Sequence, residues 1–158
     1  MRCSATIRRA RPGDVEALVG LLGLLFDLES DFRPEPSRQR HGLDLMLRDP
    51  LHRRVSVAEL GGEVVGMATA QLLVSTAQGG PAALVEDVVV GPGHRRLGLG
   101  RALMKDIEVW AAGAGATRLQ LLTDRDNAPA FGFYASCGWR STALVCLRRN
   151  LKLEARLP

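Results

Sequence analysis

Residues 84–103, LVEDVVVGPGHRRLGLGRAL, constrain the fold more than any other stretch, because a buried strand runs through an Arg- and Gly-rich loop directly into a helix. Residues 84–90 are largely β-branched and stop at Gly91-Pro92-Gly93, which reads as a strand and its terminator. Beyond the loop, Leu99, Leu103, Ile107 and Trp110 recur at helical spacing, so the helix begins near Gly98. A helix start leaves N–H groups without intrahelical partners and carries the positive end of the helix dipole. Arg95, Arg96 and Arg101 flank that start, so the junction suits phosphate oxygens.

Two common phosphate loops do not fit. A P-loop needs Lys-Ser/Thr after its glycines, and none follows here. A dinucleotide fingerprint needs a third glycine where Leu103 stands. The run Arg95-Arg96-Leu97-Gly98-Leu99-Gly100 instead resembles the Arg/Gln-x-x-Gly-x-Gly/Ala signature of the GNAT acetyltransferase superfamily, whose loop holds the pyrophosphate of coenzyme A. Many members have glycine where this chain has Arg96. Taken alone, the six residues would equally serve an ordinary strand-to-helix turn with solvated arginines.

A chain of 158 residues with 46% hydrophobic and 24% charged side chains has the make-up of one soluble globular domain, expected to span residues 1–158. The net charge of +4 does not point to nucleic acid, because the arginines are scattered and their one notable cluster is the loop itself. Cys3, Cys137 and Cys146 are odd in number and widely spaced, with no Cys-x-x-Cys pair. They read as free thiols in a reducing cytoplasm, and no metal site is expected. Arg8-Arg9 is not followed by an apolar segment, and residues 18–26 are too few to span a bilayer, so neither export nor a membrane partner is expected.

In chain order, residues 3–9 read as a first strand. Leu18, Leu21, Leu22 and Leu25 mark the buried face of a helix, whose Gly20 and Gly23 suggest close packing. Residues 38–48 form a second amphipathic helix with Leu43, Met46 and Leu47 inward. Residues 54–60 and 63–74 are strands joined by the hairpin signal Gly61-Gly62. After the helix of residues 98–112 come a strand at 117–123, a short helix at 128–136 ending at Gly138, and closing strands within 139–147. The helix can cross over between its flanking strands and make them parallel, whereas the hairpins are antiparallel. The expected fold is a single mixed, mostly antiparallel α/β sheet of six to seven strands with helices on both faces.

A second stretch, Asn127-Ala128-Pro129-Ala130-Phe131-Gly132-Phe133-Tyr134-Ala135-Ser136-Cys137-Gly138-Trp139, is similar to the GNAT segment Asn-x-x-Ala-x-x-Phe-Tyr-x-x-x-Gly-Phe, with Trp139 in place of the closing Phe. With the loop, Glu86-Asp87 and the order of elements, the resemblance covers nearly the whole chain. It implies transfer of an acetyl group from acetyl-CoA, as co-substrate, to an amine by direct attack in a ternary complex. Tyr134, the one tyrosine in the chain, falls where the family places its general acid. A phenol of pKa about 10 stays protonated at neutral pH and can still give its proton to a departing thiolate. An acceptor ammonium poses the opposite problem, because only about 0.1% is free base at pH 7, a cost of roughly 4 kcal/mol. Glu86 matches a position where several GNAT enzymes carry the base, and strict alternation would send Glu86 and Asp87 to opposite faces. A hydrogen-bonded structural carboxylate would account for Glu86 as well.

By the same resemblance, the strand residues Val88, Val89 and Val90 line the pantetheine arm, with Val88 N–H on the thioester carbonyl. The amides of Arg95, Arg96, Leu97, Gly98, Leu99 and Gly100 hold the pyrophosphate, Arg101 either reaches a phosphate or is solvated, and Asn127 and Ala130 join Tyr134 on the cofactor. Asp27, Glu29, Asp31, Phe32 and His41 are candidates for the acceptor side, Glu29 and Phe32 foremost, since an acidic, aromatic rim favours a cationic amine, although a solvated loop fits the same residues. The implied activity is N-acetylation of a small molecule carrying a primary amine. A protein or peptide N-acetyltransferase and a non-catalytic acyl-CoA-binding module are the alternatives, and the resemblance admits a homodimer.

Overall fold

The structure, a computed structural model, describes residues 5–28 and 31–151. Cys3 and Glu29 lie outside the described residues. The chain forms two compact units, Met1–Asp124 and Arg125–Pro158.

In the first unit, β1 (Thr6–Arg9) leads through a 3-10 turn at Pro12–Asp14 into α1 (Val15–Phe26) and α2 (Pro36–Arg48). The strands β2 (Arg53–Leu60), β3 (Glu63–Ser75) and β4 (Gly80–Val90) follow, then α3 (Leu99–Gly113) and β5 (Leu119–Leu121). The sheet runs β1-β2-β3-β4-β5 in space. Every pairing is antiparallel except β4 with β5, which α3 connects as a parallel crossover. Gly61 and Gly62 both take positive φ, 61° and 86°, as a two-residue hairpin turn between β2 and β3 requires.

Each face of the sheet is covered because each strand alternates. Val55, Val57, Met67 and Val89 pack with Val15, Leu18, Leu21, Leu22 and Leu43 of α1 and α2. The intervening residues carry α3, whose Leu99, Leu103, Met104, Ile107 and Ala111 are buried, and Leu103 lies 3.4 Å from the place a Cβ would take on Gly66. Gly66 therefore does on β3 what Gly20 and Gly23 were expected to do on α1. Those two glycines have nothing within 4 Å of an added Cβ, so close packing does not explain them.

The second unit holds α4 (Ala128–Ser136), in the position its sequence predicts. Asn127 caps it by accepting a hydrogen bond from Ala130 N–H at 3.1 Å. Gly138 takes a left-handed φ of 86° just after its end.

Five strands form among the described residues, fewer than the six to seven expected. Residues 139–147 carry no strand: Leu144, Val145 and Leu147 are 87%, 68% and 91% exposed, and an apolar run without a buried face or a neighbouring strand has nothing to order it. β5 is shorter than its sequence suggests, and β4 is longer, beginning at Gly80 because Val74 and Ser75 pair with Pro81 and Gly80.

Candidate active site

The site grows out of an irregularity in β4. Ala68 on β3 stands opposite Val88, and Ala70 opposite Val85, so Thr69 alone faces both Glu86 and Asp87. Such a bulge breaks the strict alternation that would send those carboxylates to opposite faces and re-aims the side chains beside it. Asp87 turns to Thr69: its N–H donates to Thr69 Oγ1 at 3.0 Å, and that hydroxyl donates to Asp87 Oδ2 at 2.8 Å. Burial pushes the Asp87 carboxyl up to about 6, opposed by the Thr69 hydrogen bond and reinforced by the neighbouring Glu86 charge. Glu86 itself is exposed.

Past the bulge the strand has one open edge. Gly91 N–H reaches the Val65 carbonyl at 2.8 Å, so by alternation Val89 also turns its main-chain groups toward β3, and Val88 and Val90 turn theirs away. On that far side β5 pairs only with Ala83, Leu84 and Val85, which leaves residues 86–90 without a strand partner among the described residues. Val89 is thereby separated from its expected companions. Its side chain is 5% exposed within the α1 core and its main-chain groups face β3, whereas those of Val88 and Val90 face the open side.

The open edge runs straight into the loop. Arg95 folds back, its Nε donating to the Val90 carbonyl at 3.1 Å. Arg96 adopts φ 62°, the one positive φ at a non-glycine residue in the described chain, where L side chains are strained. Leu97 is 61% exposed, and Gly98 takes φ 79° immediately before α3. No side chain caps α3, and its ladder begins with Ala102 N–H to the Gly98 carbonyl, so the amides of Leu99 and Gly100 open the helix ahead of its first internal bond. The helix is fastened to β2 by Asp106, whose Oδ2 accepts from Arg54 Nη2 at 2.7 Å and from the Ser56 hydroxyl. Nothing in the sequence pattern singles out that cluster, since a Ser and an Arg in one strand and an Asp fifty residues later share no motif.

In the second unit, Tyr134 sits between two aromatic neighbours, its ring centroid 5.1 Å from Phe133 and 5.9 Å from Trp139. Trp139 so fills the place where the motif has Phe. Asn127 Oδ1 and the Ala130 amide are engaged with each other in the α4 cap. Phe32 lies in the connection from α1 to α2, 46% exposed and 5.4 Å from the Phe26 ring. Asp27 ends α1. His41 lies on α2.

An open strand edge continuing into an uncapped helix start is the shape that receives an extended ligand with phosphates at one end. The Acetyltransferase (GNAT) family matches residues 22–139. Streptothricin acetyltransferase of Streptomyces lavendulae is 32% identical, over 84% of this chain and 79% of that protein. Aminoglycoside N(6')-acetyltransferase type 1 of Stenotrophomonas maltophilia is 28% identical, over 89% of each chain. Among solved structures, the aminoglycoside N-acetyltransferase AAC(6')-Iy in complex with CoA shares the fold, with a TM-score of 0.81 at 19% identity over 94% of this chain and 95% of that one. The chain belongs to the GNAT acetyltransferase family. It is an acetyl-CoA-dependent N-acetyltransferase. No helix among the described residues is long and apolar enough to cross a membrane.

Proposed function

We propose that this enzyme acetylates a primary amine on a small, multiply cationic molecule of the kind streptothricin and the aminoglycosides represent, by direct attack in a ternary complex. The observation that carries the reading is the bulge in β4, which puts an exposed carboxylate, Glu86, beside the open strand edge of Val88 and Val90. Glu86 takes the proton that keeps the acceptor ammonium unreactive. Val88 N–H donates to the carbonyl oxygen as it gains negative charge, a fixed donor where charge develops. Val90 holds the extended arm like an added strand, and the amides from Arg95 to Gly100 hold the phosphates, with Arg101 beside them. Tyr134 gives its proton to the departing sulfur. Its aromatic neighbours limit the ring's freedom, which favours one direction for the hydroxyl. Asn127 and Ala130 act through the cap that fixes the start of α4, and Glu29 and Phe32 belong to the acceptor side.

The test is release of coenzyme A from acetyl-CoA across streptothricin, aminoglycosides, polyamines, amino acids and a lysine peptide. Turnover driven by an antibiotic amine, and reduced at least tenfold in Glu86→Gln, is the expected result. Acceleration by the lysine peptide alone would make this a peptide acetyltransferase. Tight acetyl-CoA binding with no acceleration by any amine would make it a binding module.

A further inference from the structure

We propose that Thr69 is a positioning residue for the transfer: its hydroxyl, shared with Asp87, holds the β4 bulge in one register and so fixes the direction of the Glu86 carboxylate and the Val88 N–H. The inference rests on the reading in which those two groups serve the reaction.

A bulge sets two residues against one, so one amide of the longer strand has no main-chain acceptor across the ladder. Here that amide is Asp87 N–H, and it is taken by a side chain, Thr69 Oγ1, at 3.0 Å. The hydroxyl then places its own hydrogen on Asp87 Oδ2 at 2.8 Å, closing a ring of two bonds between one residue of β3 and one of β4. Thr69 is 2% exposed, so water is poorly placed to substitute for the hydroxyl. Without the ring, pairing Ala68 with Val88 and Ala70 with Val85 leaves a polar amide buried and unmatched, and the bulge is free to migrate along β4. A shift of one residue turns side chains to the other face, which is enough to take Glu86 off the acceptor and Val88 N–H off the edge. Serine could make both bonds, and valine, of the same shape, neither. Asparagine at position 87 keeps an acceptor oxygen and the main-chain N–H, so the ring does not depend on the carboxylate charge.

The experiment compares Thr69→Val, Thr69→Ser and Asp87→Asn by steady-state kinetics with the best amine of the panel, and by amide hydrogen exchange of the ligand-free protein at Asp87 and Val88. In Thr69→Val, kcat falls about 10- to 100-fold with KM for acetyl-CoA within about twofold, and exchange at Asp87 speeds at least tenfold. Thr69→Ser restores both readouts, and Asp87→Asn keeps exchange slow. If Thr69→Val does not fold, Thr69→Ala is read in its place with the same expectations. Unchanged exchange in the hydroxyl-free variant overturns the clasp, and faster exchange with unchanged kcat overturns its positioning role. Glu86→Gln with full kcat would remove the base assignment alone, leaving Val88 N–H as the group the clasp holds.

Discussion

Asp106 on α3 and Ser56 on β2 share a hydrogen bond that joins the helix to the sheet, with Arg54 donating to the same carboxylate oxygen at 2.7 Å. The three side chains are largely shielded, Arg54 at 17% and Asp106 at 25% exposure, so the pair is neither a solvated surface bridge nor a buried charge without company. Removing the acceptor leaves a guanidinium and a hydroxyl facing each other. Asp106→Ala should therefore lose about 1–3 kcal/mol of stability in urea unfolding. At temperatures where the variant stays folded, its kcat should remain near wild type, because the Asp106 carboxylate is taken up by Arg54 and Ser56 of β2.

Gly20 and Gly23 lie within α1 with free space where a Cβ would go. Each costs the helix backbone entropy without sparing a clash. Gly20→Ala and Gly23→Ala should each stabilise the protein by about 0.5–1 kcal/mol, read as a higher urea midpoint at unchanged slope. A loss of stability at either position would show that the space is filled in the working protein.

The Asp87 carboxyl, held up at about 6 by burial and by the Glu86 charge, binds its proton more tightly folded than unfolded. Between about pH 4 and 6 the folded state therefore carries more protons than the unfolded chain, and this group's contribution to stability falls as pH rises through that window. Asp87→Asn should abolish that part of the pH dependence and raise stability above pH 6 by roughly 1–3 kcal/mol. Asp14 has the opposite sign, because hydrogen bonding to Arg8 holds its carboxyl low, so its contribution is present at neutral pH and lost in acid. Chemical unfolding at a series of pH values separates the two.

Arg96 takes a left-handed φ of 62°, a conformation that costs a side chain and spares glycine. Arg96→Gly should leave stability unchanged or raise it by up to about 1 kcal/mol, while KM for acetyl-CoA rises several-fold through loss of a cation beside the phosphates. If KM stays fixed as stability rises, Arg96 plays no part in donor binding.

The alternating and helical patterns made β2, β3, α1, α2, α3 and α4 legible, and Gly98 marked the start of α3, because each is a local signal. Three features were not. The bulge at Glu86-Asp87 depends on which residue of β3 lies opposite, which no pattern within β4 encodes. The direction of the Val89 amide is set by the register of β4 against β3, which β4 alone does not encode. The apolar residues Leu144, Val145 and Leu147 satisfy a strand pattern, but a strand needs a neighbour, and pairing is a property of the sheet. Asn127 shows the converse: its position at the start of α4 is a capping signal, and the family motif drew attention to a ligand role ahead of it.

If Tyr134 supplies the proton that releases coenzyme A, its hydroxyl matters to turnover and not to donor binding. Wild type and Tyr134→Phe are compared in kcat for coenzyme A release and in acetyl-CoA affinity by calorimetry. A loss of about 10²–10⁴ in kcat with affinity held within about threefold is the predicted result. Near-wild-type kcat in Tyr134→Phe, with the protein folded and the donor bound, would contradict it.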